Sequence, residues 1–258
     1  MTEGTLLADA SLERRIALIG LIAVAALAWI YLWRAAQSMG AMPMGQMSAG
    51  MPGAWSMEAF VATFLMWSVM MCGMMLPSAA PAILLYTRMV RGNAERGIVL
   101  GSVWLFVAGY LAAWSGFSVA ATVLQLALRD TSLLSARMVS ANLWLSSGIL
   151  VAAGVYQWLP IKTVCLDKCR SPLTFFLSRW KPGRAGSLQM GWEHGWTCVG
   201  CCWALMLILF VAGVMNLLWV AAISGFVFVE KVLPASALTT RVAGAGLVLC
   251  GLAVAFTA

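Results

Sequence analysis

The sequence predicts an all-α polytopic bundle of transmembrane helices, and three observations predict it. Hydrophobic residues make up 62 % of the 258-residue chain and charged residues only 10 %. Several apolar stretches run to about 18 residues or more, the length that crosses a bilayer. The Lys and Arg residues gather in the segments that join those stretches, the pattern that orients membrane proteins. The net charge of +7 is therefore read as orientation, with no nucleic-acid partner. No basic-aromatic patch, P-loop, Rossmann glycine pattern or Ser/His/Asp grouping is present, so no catalytic residue is assigned.

Apolar length places about seven spans in a single domain over 1–258, near 16–35, 58–87, 98–125, 138–160, 190–212, 215–231 and 240–257. The first follows Arg14 and Arg15 and ends in Trp29, Tyr31 and Trp33, which resembles an interfacial aromatic belt, so a retained anchor is expected rather than a cleaved leader. The second contains Pro77 and Pro81. Proline removes a helical hydrogen bond, and lipid cannot satisfy the carbonyl it frees, so Leu76-Pro77-Ser78 should face the bundle interior. The fifth and sixth spans nearly touch in sequence and predict a tight turn near Gly213.

With the N-terminus inside, thirteen Lys and Arg residues fall on the cytoplasmic side and three, Arg34, Arg129 and Arg137, on the other. That bias predicts a cytoplasmic N-terminus and an outer C-terminus, in a multi-pass protein of the bacterial inner membrane whose first partner is the lipid bilayer. It also puts a long Cys-containing loop, 160–188, on the reducing side and a Met-rich loop, 39–57, on the outer side.

The chemistry gathers in Trp192-Glu-His-Gly-Trp-Thr-Cys-Val-Gly-Cys-Cys-Trp203. This stretch holds the sole histidine, His194, and three of the seven cysteines, Cys198, Cys201 and Cys202. On a helix these four share an arc of roughly 100°, unless Gly195 or Gly200 breaks it. Cys165 and Cys169 lie in the preceding loop, at the same predicted membrane face. Thiolates beside an imidazole suit Cu(I) first and Zn(II) second. The plain alternative is that the cysteines are small core residues, as Cys72 and Cys250 are expected to be. A third reading is thiol–disulfide exchange, which the reducing side disfavours.

Methionines add a second set of soft donors. Met66, Met70 and Met74 form one i, i+4 row of the second span, and Met71 and Met75 form the next. They read either as flexible packing or, at Met70, Met71, Met74 and Met75, as thioether ligands. Met42, Met44 and Met47 sit in the outer Gly/Pro-rich loop, whose Met-x-Met and Met-x2-Met spacing resembles the methionine motifs of periplasmic copper-handling proteins. Among polar residues within spans, Asn216 and Glu193 are functional candidates, with Glu193 roughly 140° off the cysteine face. Glu230 and Lys231 read as an interfacial anchor.

Several motifs occur together: Met70-Met-Cys-Gly-Met-Met-Leu-Pro-Ser78, Ser171-Pro172-Leu173 after the Cys165/Cys169 loop, Gly200-Cys-Cys-Trp-Ala-Leu-Met206, Gly213-Val-Met-Asn216 and Glu230-Lys231. As a set they resemble a bacterial family of predicted metal-binding integral membrane proteins, over about 57–245. The resemblance implies metal binding and supplies no reaction. The expected function is soft-metal transfer or homeostasis, with the metal ion and a metal chaperone or other membrane subunits as partners. The rival from another class is an accessory subunit of a larger membrane metalloenzyme complex.

Overall fold

The computed structural model describes residues 3–41, 55–93, 99–135, 140–232 and 237–257. Among these residues the chain forms nine helices and no strand: α1 Glu3–Ala41, α2 Met57–Asn93, α3 Val99–Asp130, α4 Leu143–Tyr156, α5 Pro160–Arg170, α6 Pro172–Arg179, α7 Gly183–Ala212, α8 Leu217–Val232 and α9 Ala237–Phe256. The one pairing outside the helices is an isolated bridge between Leu134 and Ser140.

The expected seven spans are corrected to five or six. Five helices, α1, α2, α3, α7 and α9, are long and apolar enough to cross a membrane, and α4 with α5 makes a sixth if that pair is one broken span. The pair is bent by 63°, with Pro160 opening α5 at a position where a missing N–H costs no helical bond. The expected sixth span is the sixteen-residue α8. At 1.5 Å per residue it is about 24 Å long, short of a hydrocarbon core of about 30 Å. The expected 160–188 loop is likewise corrected: two helices, α5 and α6, fill most of it, and α7 begins at Gly183.

Helices α1, α2 and α3 run antiparallel in succession. Glu13 pairs with Arg91 at one end of α1–α2 while Trp29 meets Gly73 further along. Tyr86 stacks on Phe106 and Trp67 reaches Gln125, so α3 runs back along α2. Helix α7 is parallel to α3 and is the most buried of the long helices. Their backbones come close because Gly195 offers no side chain: a Cβ there would stand 2.6 Å from the Ala113 Cβ and 2.9 Å from the Tyr110 carbonyl. The turn after α7 lies at Gly213, whose φ of 97° favours glycine.

Helix α2 stays continuous through Pro77 and Pro81, and the proline prediction has a specific outcome. Pro77 has no N–H for the carbonyl four residues back, at Gly73, and the Trp29 indole donates to it instead at 3.2 Å. The next two carbonyls also take side-chain donors: Ser224 reaches Met74 at 3.4 Å and Tyr110 reaches Met75 at 3.3 Å. Leu76 and Ser78 are buried, as the sequence anticipates.

Candidate metal centre

Helix α7 runs unbroken through Gly195 and Gly200, so the helical spacing of its cysteines is realised. The Sγ atoms of Cys198, Cys201 and Cys202 all lie within 4.8 Å of one another, and all three residues are buried. Two thiolate sulfurs on one ion stand at most about 4.6 Å apart at the usual bond length of about 2.3 Å. The spacing therefore fits a shared soft cation with small rotamer shifts. The Cys201 and Cys202 thiols donate to the Cys198 carbonyl at 3.0 and 3.1 Å.

The predicted span 190–212 puts the centre near a helix end, whereas the observed helix begins earlier. Because α7 starts at Gly183, Cys198 sits at its middle. Helix α5 reaches this depth and brings Cys169 against Cys198 and Cys201, close enough for thiol–thiol hydrogen bonding. Cys165 lies to one side, over Gly200, where a Cβ would come within 2.9 Å of its sulfur. Cys72 is half-buried, and Cys250, expected in the core, is exposed.

His194 is 3 % exposed and lines the same cavity as Cys198 and Cys169, but lies outside the three-sulfur group. Its ring packs among Phe106, Tyr110, Phe175 and Phe176 with centroids 5.3 to 6.5 Å away. That cage fixes the imidazole, and its buried Nδ1 has no hydrogen-bond partner. The site thus keeps a nitrogen donor in reserve beside the sulfurs.

Met70, Met71, Met74 and Met75 are fully buried in α2, and the carbonyls of Met74 and Met75 accept from Ser224 and Tyr110. Met42, Met44 and Met47 lie outside the described residues. Glu193 is held by Lys181 at 2.6 Å and Arg179 at 3.2 Å, which ties α7 to the end of α6 and the segment after it. Asn216 is exposed and donates to the Ala212 carbonyl in the turn after α7.

The residues that sequence reasoning missed are the buried charges. Lys231 is 8 % exposed; its Nζ lies 2.8 Å from the Cys198 Sγ and 3.2 Å from the Ser78 Oγ. Tyr110 places its hydroxyl 2.9 Å from the same sulfur. Glu230 is equally hidden: Lys162 donates to both its oxygens, at 2.7 and 3.0 Å, and Thr240 to one at 3.0 Å. Lys162 also donates to Gln157 at the α4–α5 bend, while Arg170 donates to the Glu230 carbonyl at 2.7 Å. The anchor reading of Glu230-Lys231 is thereby overturned. A signal did exist, since the 215–231 span is at the short end of what crosses a bilayer.

No curated protein and no solved structure matches the chain. One family does, over residues 64–254, and its members are described as copper chaperones. That stretch takes in α7, α8 and every cysteine of the site, and it replaces the expectation of a generic metal-binding family with a copper-related one. The chain belongs to the PpoB2 family of copper chaperones.

Proposed function

We propose that the protein is an integral membrane copper chaperone that holds Cu(I) on Cys198, Cys201 and Cys202 and passes it on by ligand exchange. The observation that carries this reading is the convergence of three buried sulfurs on one helix face. Thiolates are soft, anionic donors that favour the cuprous ion, and burial protects the ion from oxidation and loss to water. Cys169 closes the set from α5, and His194 stands by as an exchange ligand. The four buried methionines of α2 offer uncharged thioethers along the adjoining helix, and Met42, Met44 and Met47 would capture the ion at the outer side.

The long apolar helices support a multi-pass protein of the inner membrane. The thirteen-to-three bias of Lys and Arg supports a cytoplasmic N-terminus. With no nucleotide-binding motif in the chain, exchange is driven by the relative affinities of donor and acceptor sites.

Elemental analysis of the purified protein tests the reading. The wild type retains stoichiometric copper after desalting, and the Cys198→Ser/Cys202→Ser variant loses it. Equal copper in the two proteins would refute the site.

A further inference from the structure

Copper ligation accounts for the thiols but not for the charge beside them. A cavity of about 140 Å³ adjoins the sulfur cluster, with Tyr110, Cys169, Arg170, His194, Cys198 and Lys231 on its wall. Its lining includes two cations and no Asp or Glu. Lys231 is engaged by Cys198 and Ser78. Arg170 is not so matched. Its Nε donates to a backbone carbonyl, its Nη2 is buried without a hydrogen-bond partner, and no carboxylate among the described residues pairs with it. The nearby Glu230 carboxylate is taken by Lys162 and Thr240.

Arg170 is half-buried, but a guanidinium nitrogen hidden with its hydrogens unmet is costly, and so is bringing a bare cation past a charge that no carboxylate meets. One small anion on Arg170 relieves both. It supplies the missing acceptor, and it cancels the charge that copper adds. The unpartnered Nδ1 of His194 lies on the same wall, ready to donate in its Nδ1–H tautomer or to bind metal.

We propose that this cavity is an anion site, and that Cu(I) reaches Cys198 bound to a small monoanionic co-ligand, a halide or the carboxylate end of a small carrier, which Arg170 holds. The inference rests on the copper-binding reading above and names the form in which that cargo arrives. The exchange balances without redox chemistry. The bond between copper and the anion breaks, and the anion keeps its electron pair and stays on the guanidinium. A bond from copper to the Cys198 sulfur, as the thiolate opposite Lys231, replaces it. Copper is Cu(I) before and after.

Chloride NMR line broadening on the copper-free, full-length protein in detergent tests the anion site apart from the metal. Excess broadening is expected for wild type and for Cys202→Ser, whose residue does not line the cavity, with apparent affinity about tenfold weaker in Arg170→Gln, the loss of one charge-assisted hydrogen bond. Arg170→Lys, which keeps the charge, recovers part of it and controls for folding. Displacement of chloride by acetate at lower concentration assigns the carboxylate, and failure to displace assigns the halide. No excess broadening in wild type, or undiminished broadening in Arg170→Gln, would overturn the proposal. Because Cys202→Ser is expected to lose copper yet keep chloride, failure of the copper reading and failure of the anion site give different results.

Discussion

The Nζ of Lys231 lies 2.8 Å from the Sγ of Cys198, both side chains buried and contributed by different helices. An ammonium so placed complements a thiolate. This contact, rather than any single thiol, links α8 to the site on α7. The two residues are expected to be energetically coupled. A double-mutant cycle of Lys231→Met with Cys198→Ala, read by thermal unfolding in detergent, should give an interaction energy of about 1–3 kcal/mol. Additive effects would show that the contact does no more than fill space.

The two cysteines of α5 should behave differently. Cys169 faces Cys198 and Cys201, whereas Cys165 packs over Gly200. Cys169→Ser should weaken Cu(I) binding by about 10- to 100-fold, the usual range for a group that supports metal ligands. Cys165→Ser should change it by less than about threefold in the same chelator competition, since the residue lies off the sulfur cluster.

The Lys162–Glu230 pair joins the α4–α5 bend to α8, with both side chains at 2 % exposure or less. Glu230→Gln leaves a buried ammonium without its counter-charge and should cost about 3–5 kcal/mol of unfolding free energy. The joint change Lys162→Met/Glu230→Leu should recover most of that. A double variant less stable than the single one would refute the argument.

Two glycines of α7 should tolerate alanine unequally. At Gly195 the added Cβ meets the Ala113 Cβ at 2.6 Å and main chain at Tyr110, so two helices must part, at about 1–3 kcal/mol. At Gly200 it meets only the Cys165 side chain, tightly at the movable sulfur and loosely at Cβ. Gly200→Ala should therefore stay within about 1 kcal/mol of wild type, the range of a change absorbed by one rotamer. Thermal midpoints of the two variants decide the comparison.

Apolar length and charge placement made the helical bundle legible, because lipid imposes both on any spanning chain. Helical spacing also brought out the Cys198, Cys201 and Cys202 face, since it depends only on local geometry. The errors arose where tertiary structure overrides local pattern. Polar α5 reads as a loop until its burial against α7 is known, and α8 reads as a span until its length is set against the bilayer. Lys162, Arg170 and Lys231 carry no periodic signal, and their contacts with Glu230, Glu230 and Cys198 span 68, 60 and 33 residues of sequence. Trp29, by contrast, answers a need that the sequence does announce, the carbonyl left open by Pro77.

The 63° bend that carries α5 back into the bundle also sets an order of assembly. Cys169 is made first, but it faces nothing until α7 is threaded beside it, and Lys231 arrives only with α8. The wall around the three sulfurs of α7, with Cys169 on one side and Lys231 on the other, is therefore complete only once α5, α7 and α8 have all been made.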